Sequence, residues 1–241
     1  MKKTGNLVIL VLISLFLLYS CGSEKKYTDV KIKSKEDSVS YFLGLTYGSQ
    51  LKQANIDSVF NYQAFVKGMT EAINEDTMPV SKFMIQTYLS SFFRDFQEQQ
   101  LRNQFRDYIA RNKAFLDDNT KNDSVINLPS GLQYIILKEG TGNKPTVTDR
   151  IKVHYTGSLI DGTIFDSSFK RNEPMIFTVG QVIPGWIEAM QLMSVGSKWK
   201  VFIPEDLAYG AQPPQGSGIQ PFSTLVFEVE LLEILPVESQ P

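Results

Sequence analysis

The stretch VHYTGSLIDGTIFDSS, residues 153–168, organises this chain of 241 residues. It places a tyrosine, a phenylalanine and a carboxylate close together, and two further segments, VIPGW at 182–186 and AYGA at 208–211, add more rings. These segments hold no nucleophile with a base beside it. Because clustered rings with a single carboxylate suit the binding of an apolar group and the exclusion of water, we expect a pocket here rather than a covalent catalytic site.

The composition limits the classes of function that the chain can have. A net charge of −2 and 42% hydrophobic residues fit one or two globular domains and give no reason to expect nucleic acid as a partner. One histidine and one cysteine argue against a zinc site or a Cys–His dyad. The glycines at 140 and 142 lack the context of a phosphate-binding loop. We therefore expect neither a metal nor a cofactor.

The N-terminus reads as an export signal. Lys2 and Lys3 precede an apolar run at 7–18, which fits a signal peptide and is short for a membrane span of about 20 residues. LYSC at 18–21 then resembles a bacterial lipobox. We expect a signal peptide at 1–20 and a tether at 21–36 that is lipidated on Cys21, the sole cysteine. The alternative is a chance cysteine after an ordinary signal peptide, or a reactive thiol.

A helical pattern covers residues 37–120. Asp37 or Ser38 is expected to cap a first helix and Asp57-Ser58 a second, and a third run extends from Ser81 to Leu116. Unbroken, the third run would be about 54 Å long, and two short helices cannot cover its apolar stripe. It must break, or a second copy must cover part of it. We expect a homodimer through the N-terminal helices; the alternative is a monomeric helical bundle.

From residue 132 the hydrophobic period becomes two. Alternation predicts strands that bury one face and leave the other in water. The expected strands cover residues 132–137, 150–159, 175–179, 197–203 and 224–235. The segment 185–193 is the good candidate to cover the buried face. This predicts an α+β fold, in which an antiparallel half-barrel sheet wraps around one short helix and follows a helical domain with a long linker helix.

Residues 128–235 resemble the FKBP-type peptidyl-prolyl cis–trans isomerase domain. The matching segments are LPSGLQY at 128–134, VHYTG at 153–157, GTIFDSS at 162–168, VIPGW at 182–186, AYG at 208–210 and TLVFEVELL at 224–232. The region 37–120 is similar to the helical dimerisation region of macrophage-infectivity-potentiator-type FKBPs. That similarity rests on SYFLG at 40–44, FVKG at 65–68 and NKAFL at 112–116.

The resemblance implies a metal-free, non-covalent prolyl isomerase with its domain at 126–237, acting on proline-containing unfolded or partly folded polypeptides. It implies catalytic roles for Asp166, Tyr209 and Tyr155, with Trp186 as the floor beneath the proline ring. Arg171 would join the polar network of Asp166, and the Ile219 N–H would hold a substrate carbonyl. The remaining substrate-binding residues would be Phe165, Phe177, Val182, Ile183, Phe227 and Met175.

The resemblance also implies a V-shaped dimer, exported and lipid-anchored to the bacterial envelope, on the outer membrane facing the periplasm. His154 is expected to be a structural or surface residue, since it alternates away from Tyr155. In the loop 212–222, Phe222 replaces a usually small or polar residue and is a candidate to reach over the rim and alter specificity. The alternative functions are a holdase chaperone or adaptor and, more weakly, a catalytically silent surface protein.

Overall fold

The computed structural model describes residues 30–74 and 80–236. The predicted signal peptide, Cys21 and most of the predicted tether lie outside the described residues. The chain divides into two compact units, Met1–Pro79 and Val80–Pro241. Within the described residues, no helix combines the length and the hydropathy that crossing a membrane requires.

The first unit contains helix α1, Lys35–Gln53, and helix α2, Tyr62–Asn74. Ser34, not Asp37 or Ser38, caps α1. Its hydroxyl accepts the Asp37 N–H at 3.0 Å, and the Asp37 carboxylate accepts the Ser34 N–H at 3.0 Å. This reciprocal pair is a capping box, which satisfies two backbone donors at once and places the cap three or four residues earlier than predicted.

The predicted cap of the second helix was also wrong. Asp57–Val59 forms a separate 3-10 turn, and the Asn61 side chain accepts the Ala64 N–H at 3.0 Å at the start of α2. Neither α1 nor α2 contains a buried residue. Both helices therefore leave large apolar side chains exposed within this unit; Phe42 of α1, for example, is 60% exposed.

The predicted long helix is divided in two. Helix α3, Lys82–Gln104, begins at the predicted place, where the Ser81 hydroxyl accepts the Met84 N–H at 3.2 Å. Helix α4, Arg106–Asn119, follows after Phe105, whose φ of −96° and ψ of 12° leave the helical region. The break is one of the two outcomes that the length of the run allowed.

The second unit continues into an antiparallel sheet, which confirms the predicted α+β architecture. In the described part of the chain its seven strands have the order β1-β2-β6-β7-β3-β4, and β5 also pairs with β3. Two short strands, β1 and β4, were not predicted. The strands are β1 Ile126–Asn127, β2 Gln133–Lys138, β3 Arg150–Leu159, β4 Ile164–Ser167, β5 Met175–Thr178, β6 Lys198–Ile203 and β7 Leu225–Leu235.

Helix α5, Pro184–Leu192, covers the inner face of the sheet, as predicted. Pro184 occupies the first turn, where its missing N–H costs no hydrogen bond. Every second side chain of β3 points inward, and Ile151 and Val153 are fully buried. Strand β3 pairs with β7 along one side. Along its other side, the first half of β3 pairs with β5 and the second half pairs with β4. This tandem pairing places β5 and β4 one after the other along the same side of β3.

The outer face of the sheet is partly covered, contrary to the prediction that it faces water. Phe202 and Val226 are opposite each other on β6 and β7, point away from α5 and are only 4% and 6% exposed. The Phe115 ring of α4 lies 5.9 Å from the Phe202 ring. At the start of β2, the Gln133 amide donates to the Leu116 carbonyl at 3.0 Å. Helix α4 therefore docks on the convex side of the sheet.

Replacing Phe115 with alanine should lower the free energy of unfolding of the sheet by about 2 kcal/mol, because the ring is partly buried against Phe202. Both tryptophans, Trp186 and Trp199, lie in the second unit, so denaturant unfolding followed by tryptophan fluorescence reports on it. Lys113→Ala, an exposed change on the same helix, should shift the midpoint little. Equal midpoints for both variants would contradict the docking.

Candidate functional site

The Trp186 indole lies at the centre of an aromatic cluster. It is 5% exposed and lies on the face of α5 that packs against the sheet. Tyr155, Phe177 and Phe227 surround it at centroid distances of 5.3, 5.6 and 5.2 Å. All three rings meet the indole at interplanar angles between 74° and 87°. These edge contacts are favourable for aromatic pairs, and none of the three rings stacks on the indole face.

Gly157 allows the neighbouring rings to close together. In the sheet it lies opposite Phe227 on β7 and Asp166 on β4. A Cβ atom at this position would come within 2.7 Å of both the Phe165 and the Phe227 rings. The two rings meet edge to face at 5.6 Å above it. Glycine is therefore required here by close packing, and the pairing of β3 with β4 places Asp166 beside the cluster.

A polar group closes one side of the aromatic cluster. The Tyr155 hydroxyl donates a hydrogen bond to one oxygen of Asp166, and the Arg171 guanidinium donates to the other. Arg171 also donates to the Tyr155 oxygen at 3.3 Å. The two oxygens of Asp166 are thus held by two different donors, which fixes the carboxylate in one orientation.

This arrangement keeps Asp166 charged and Tyr155 neutral. Partial burial disfavours the Asp166 carboxylate, but the hydrogen bonds from Tyr155 and Arg171 and the charge of Arg171 outweigh it and lower the pKa of Asp166. Burial, followed by the hydrogen bond to Asp166, raises the pKa of Tyr155 to about 12. With the pKa of Asp166 lowered and that of Tyr155 raised, the pair keeps one protonation state around neutral pH, a charged carboxylate and an un-ionised phenol.

Partly buried side chains surround the buried floor. Phe165, Phe177, Val182, Ile183 and Met175 all pack against the core while remaining partly exposed. A cleft of about 300 Å³ includes two of them, and it is lined by Arg150, Ile176, Phe177, Thr178, Gln181 and Val182. Because Trp186 and Tyr155 are absent from that lining, the cleft borders the aromatic cluster and does not contain its floor.

Tyr209 and Ile219 lie in the long connection between β6 and β7. Tyr209 is 36% exposed, and burial together with the charge of Asp166 raises the pKa of its hydroxyl. The Ile219 N–H, predicted to hold a substrate carbonyl, donates to the Ser217 hydroxyl at 3.2 Å. A substrate carbonyl would have to share that donor or replace the hydroxyl.

Phe222 does not reach over the rim, so that expectation was wrong. Its side chain is 1% exposed, with its ring 6.3 Å from that of Phe105. The hydrophobic residue is instead buried against the junction between α3 and α4. Nothing in the local sequence indicates this, because the contact joins residues more than a hundred positions apart.

His154 and Ser168 lie behind the site. His154 points away from Tyr155, as predicted, stacks on Phe169 at 4.5 Å and shares a hydrogen bond with Ser168 at 2.9 Å. Ser168 is fully buried. Its hydroxyl accepts the Tyr155 N–H at 2.8 Å and lies 3.2 Å from the Tyr155 carbonyl oxygen. It therefore ties the turn after Asp166 to the backbone of Tyr155.

The structure thus brings most of the predicted residues into one region around Trp186: Tyr155, Phe165, Asp166, Arg171, Phe177 and Phe227 are joined by direct contacts. Within residues 30–74 and 80–236, no group of three or more His, Cys, Asp or Glu side chains is placed to hold a metal ion. The arrangement can bind an apolar ring and hold a polar chain beside it. It offers no activated nucleophile for covalent chemistry.

Two family models match the chain. The model described as FKBP-type peptidyl-prolyl cis-trans isomerase matches residues 141–232. The model described as the domain amino terminal to FKBP-type peptidyl-prolyl isomerase matches residues 36–136. Together the two matches include every residue of the candidate site and the helices that precede it.

Relatives align over most of the chain. The FKBP-type 22 kDa peptidyl-prolyl cis-trans isomerase of Escherichia coli K12 is 44% identical over 200 residues, 83% of this chain and 96% of the relative. The outer membrane protein MIP of Legionella longbeachae is 39% identical, over 84% of this chain and 87% of its own. The crystal structure of FkpA from Escherichia coli has a TM-score of 0.54 and 32% identity, and the match covers 86% of this chain and 99% of that one.

Proposed function

The chain belongs to the FKBP family of peptidyl-prolyl cis–trans isomerases, and from this membership we propose how its site acts. The protein is a prolyl isomerase. Rotation about a prolyl peptide bond is slow because amide resonance sets a barrier of about 18–20 kcal/mol. X-Pro bonds populate the cis form in unfolded chains, so their isomerisation limits folding. We propose that unfolded or partly folded polypeptides containing proline are the substrates.

The catalytic principle is removal of water from the rotating amide. Twisting the bond destroys resonance and reduces the charge on the carbonyl oxygen. Water stabilises the charged, planar amide, so a dry aromatic pocket raises the ground state relative to the twisted state. Such catalysis requires apolar walls and fixed hydrogen-bonding groups, with no bond made to the protein.

The observation that carries this proposal is the environment of Trp186. Three rings lie nearly perpendicular to the indole and none is stacked on it, and a carboxylate held by two donors lies beside them. We assign the indole face to the proline ring of the substrate. Phe227 and Phe177 then form walls, with Phe165, Val182, Ile183 and Met175 extending them.

The polar groups take complementary roles. The Tyr155 hydroxyl donates its hydrogen bond to Asp166. Tyr155 therefore orients the carboxylate and does not donate to the substrate. Asp166 provides a fixed negative charge next to the twisting amide, and Arg171 holds it from the solvent side. The half-exposed Tyr209 hydroxyl is free to turn toward a substrate carbonyl, and the Ile219 N–H is a second donor on the same loop.

Asp166→Leu and Phe227→Ala should each lower kcat/KM for a proline-containing tetrapeptide by about tenfold or more, because the first removes the fixed charge and the second a wall of the pocket. A protease-free cis–trans assay on the full chain measures this. The matched control is Asp161→Asn, which changes an exposed carboxylate on the same hairpin whose partner is the Thr163 N–H. Wild-type activity in Asp166→Leu and Phe227→Ala would refute the assigned site, and an inactive wild type would refute the function.

The rate should be almost independent of pH between 6 and 8. The pKa of Asp166 is lowered from an ordinary value of 3.8, so its carboxylate loses charge only as the pH falls below about that value. Tyr155, with a pKa of about 12, loses its proton only far above this range. We expect kcat/KM to vary by less than about twofold. A sigmoidal change inside this interval would show that a titrating group takes part.

We also infer that the protein forms a homodimer through its N-terminal helices. The supporting observation is the large exposed apolar surface of the first unit, together with the match of residues 36–136 to the family's N-terminal domain. Phe42→Glu should shift the full chain toward the monomer in sedimentation equilibrium, because a charge would be buried in the interface. Lys52→Glu, a polar change on the same helix, is the control. A monomeric wild type at micromolar concentration would refute the inference.

We propose that the protein is exported and anchored in the bacterial envelope by lipid on Cys21, on the outer membrane facing the periplasm. The support is the N-terminal sequence and the name of the Legionella relative as an outer membrane protein. More than one acyl chain is needed for lasting attachment, as lipoproteins have. Cys21→Ser should move the protein from the membrane fraction to the soluble fraction. Unchanged membrane association of that variant would contradict the lipid anchor.

A further inference from the structure

The connection between β6 and β7, residues 205–224, is bound at both ends by the helices that precede the sheet. We call it the rim loop. At its start, the Glu205 carboxylate accepts a hydrogen bond from Arg102 of α3 at 2.7 Å. At its end, the Thr224 N–H donates to the Asn112 side chain of α4 at 2.8 Å. Next to this contact, the Tyr108 hydroxyl lies 2.9 Å from the Ser223 hydroxyl.

These contacts are sheltered from water. Asn112 is 3% exposed, and its amide group also donates to the Tyr108 carbonyl at 2.9 Å, which fixes its oxygen toward Thr224. The Glu205 side chain is 17% exposed and that of Arg102 is 33% exposed. A second hydrogen bond, to Glu98 at 2.9 Å, orients Arg102. Loss of either helix residue would leave a sheltered polar group of the rim loop without its partner, which is costly.

Phe222, two residues before the end of the rim loop, also contacts the helices. Its φ of 63° lies in the left-handed region, which is unfavourable for a bulky residue and persists only where surrounding contacts impose it. The Arg102 guanidinium lies 4.5 Å from the centre of the Phe222 ring on one side, and the Phe105 ring meets it at 6.3 Å. The junction of α3 and α4 therefore supplies the cage that holds this backbone conformation.

The caged residue is connected to Tyr209 through the backbone. The Phe222 N–H donates to the Gly210 carbonyl at 2.8 Å, and the Gly210 N–H donates to the Glu205 carbonyl at 3.1 Å. Gly210 follows Tyr209 directly. Arg102 thus touches the loop at Glu205 and at Phe222, and these two residues hold Gly210 between them.

We propose that α3 and α4 hold the rim loop in the conformation that presents Tyr209 and Ile219 to the substrate, so that Arg102, Asn112 and Phe222 are positioning residues for prolyl isomerisation. None of the three touches the aromatic cluster around Trp186, and they act through the loop backbone. Since Tyr209 binds the substrate chain both before and during rotation, its displacement weakens binding uniformly. The inference rests on the proposed function.

The first experiment compares Arg102→Ala and Asn112→Ala with the wild-type full chain in a cis–trans assay on tetrapeptides over a range of concentrations. We expect KM to rise about tenfold with kcat changed less than about twofold, which is the pattern for loss of uniform binding. Arg106→Ala is the matched control. It removes an arginine at the same junction that is 82% exposed and pairs with its neighbour Asp107, and it should leave both constants unchanged.

Two rescue measurements separate positioning from simple loss of stability. Phe222→Gly accepts the positive φ without strain but removes the caged ring, whereas Phe222→Ala loses the ring and keeps the strain. We therefore expect Phe222→Gly to have the higher melting temperature of the two and both to show the raised KM. Arg102→Lys, which keeps the charge toward Glu205, should recover part of the affinity that Arg102→Ala loses.

Hydrogen exchange provides a readout that does not depend on activity. In Arg102→Ala, Asn112→Ala and Phe222→Gly, amides 206–222 should exchange at least about tenfold faster, while those of β7 keep wild-type protection. If the wild-type protein has no isomerase activity but the loop amides exchange faster in the variants, the positioning of the loop is upheld and the proposed function is refuted. Unchanged exchange of the loop with unchanged KM overturns the inference, as does a fall in kcat alone or an equal loss of protection throughout the sheet.

Discussion

The edge-on packing of three rings around the Trp186 indole is the interaction on which the rest of the second unit depends. It requires a short helix beneath a curved sheet, because only then can side chains from β3, β5 and β7 reach one indole. It also requires a glycine at position 157, where any Cβ would strike two of the neighbouring rings. The same register that places this glycine beside Phe227 places Asp166 at its other side. The hydrophobic core and the candidate site are therefore built from one set of contacts.

Much of this architecture follows from local rules, and the exceptions have physical reasons. Strict alternation located β3 and β7 and assigned the inner and outer sides of Tyr155 and His154 correctly. The short strand β4 has little alternation of its own and exists because it pairs with β3. The cap of α1 was misplaced because Asp37 is a strong cap residue, yet at the third helical position its carboxylate completes a box with Ser34. The individual site roles remain predictions.

The long-range contacts were beyond sequence reasoning. Alternation labels Phe202 and Val226 as outward residues, and nothing nearby in the sequence shows that the Phe115 ring of α4 packs against Phe202. Phe222 looked like an exposed addition to a loop for the same reason, and it is one of the most buried side chains of the protein. In each case the partner lies about a hundred residues earlier in the chain. Helices that resemble a spacer when read alone are therefore structural parts of the sheet domain.

The polar group beside Trp186 has a consequence for which polypeptides the protein can serve. Asp166 and Arg171 carry opposite charges that are satisfied by each other, with a neutral phenol between them. At a distance the two charges cancel, while the Asp166 carboxylate keeps its negative charge locally, beside the aromatic rings. We therefore expect acidic and basic segments that flank a proline to be bound about equally well.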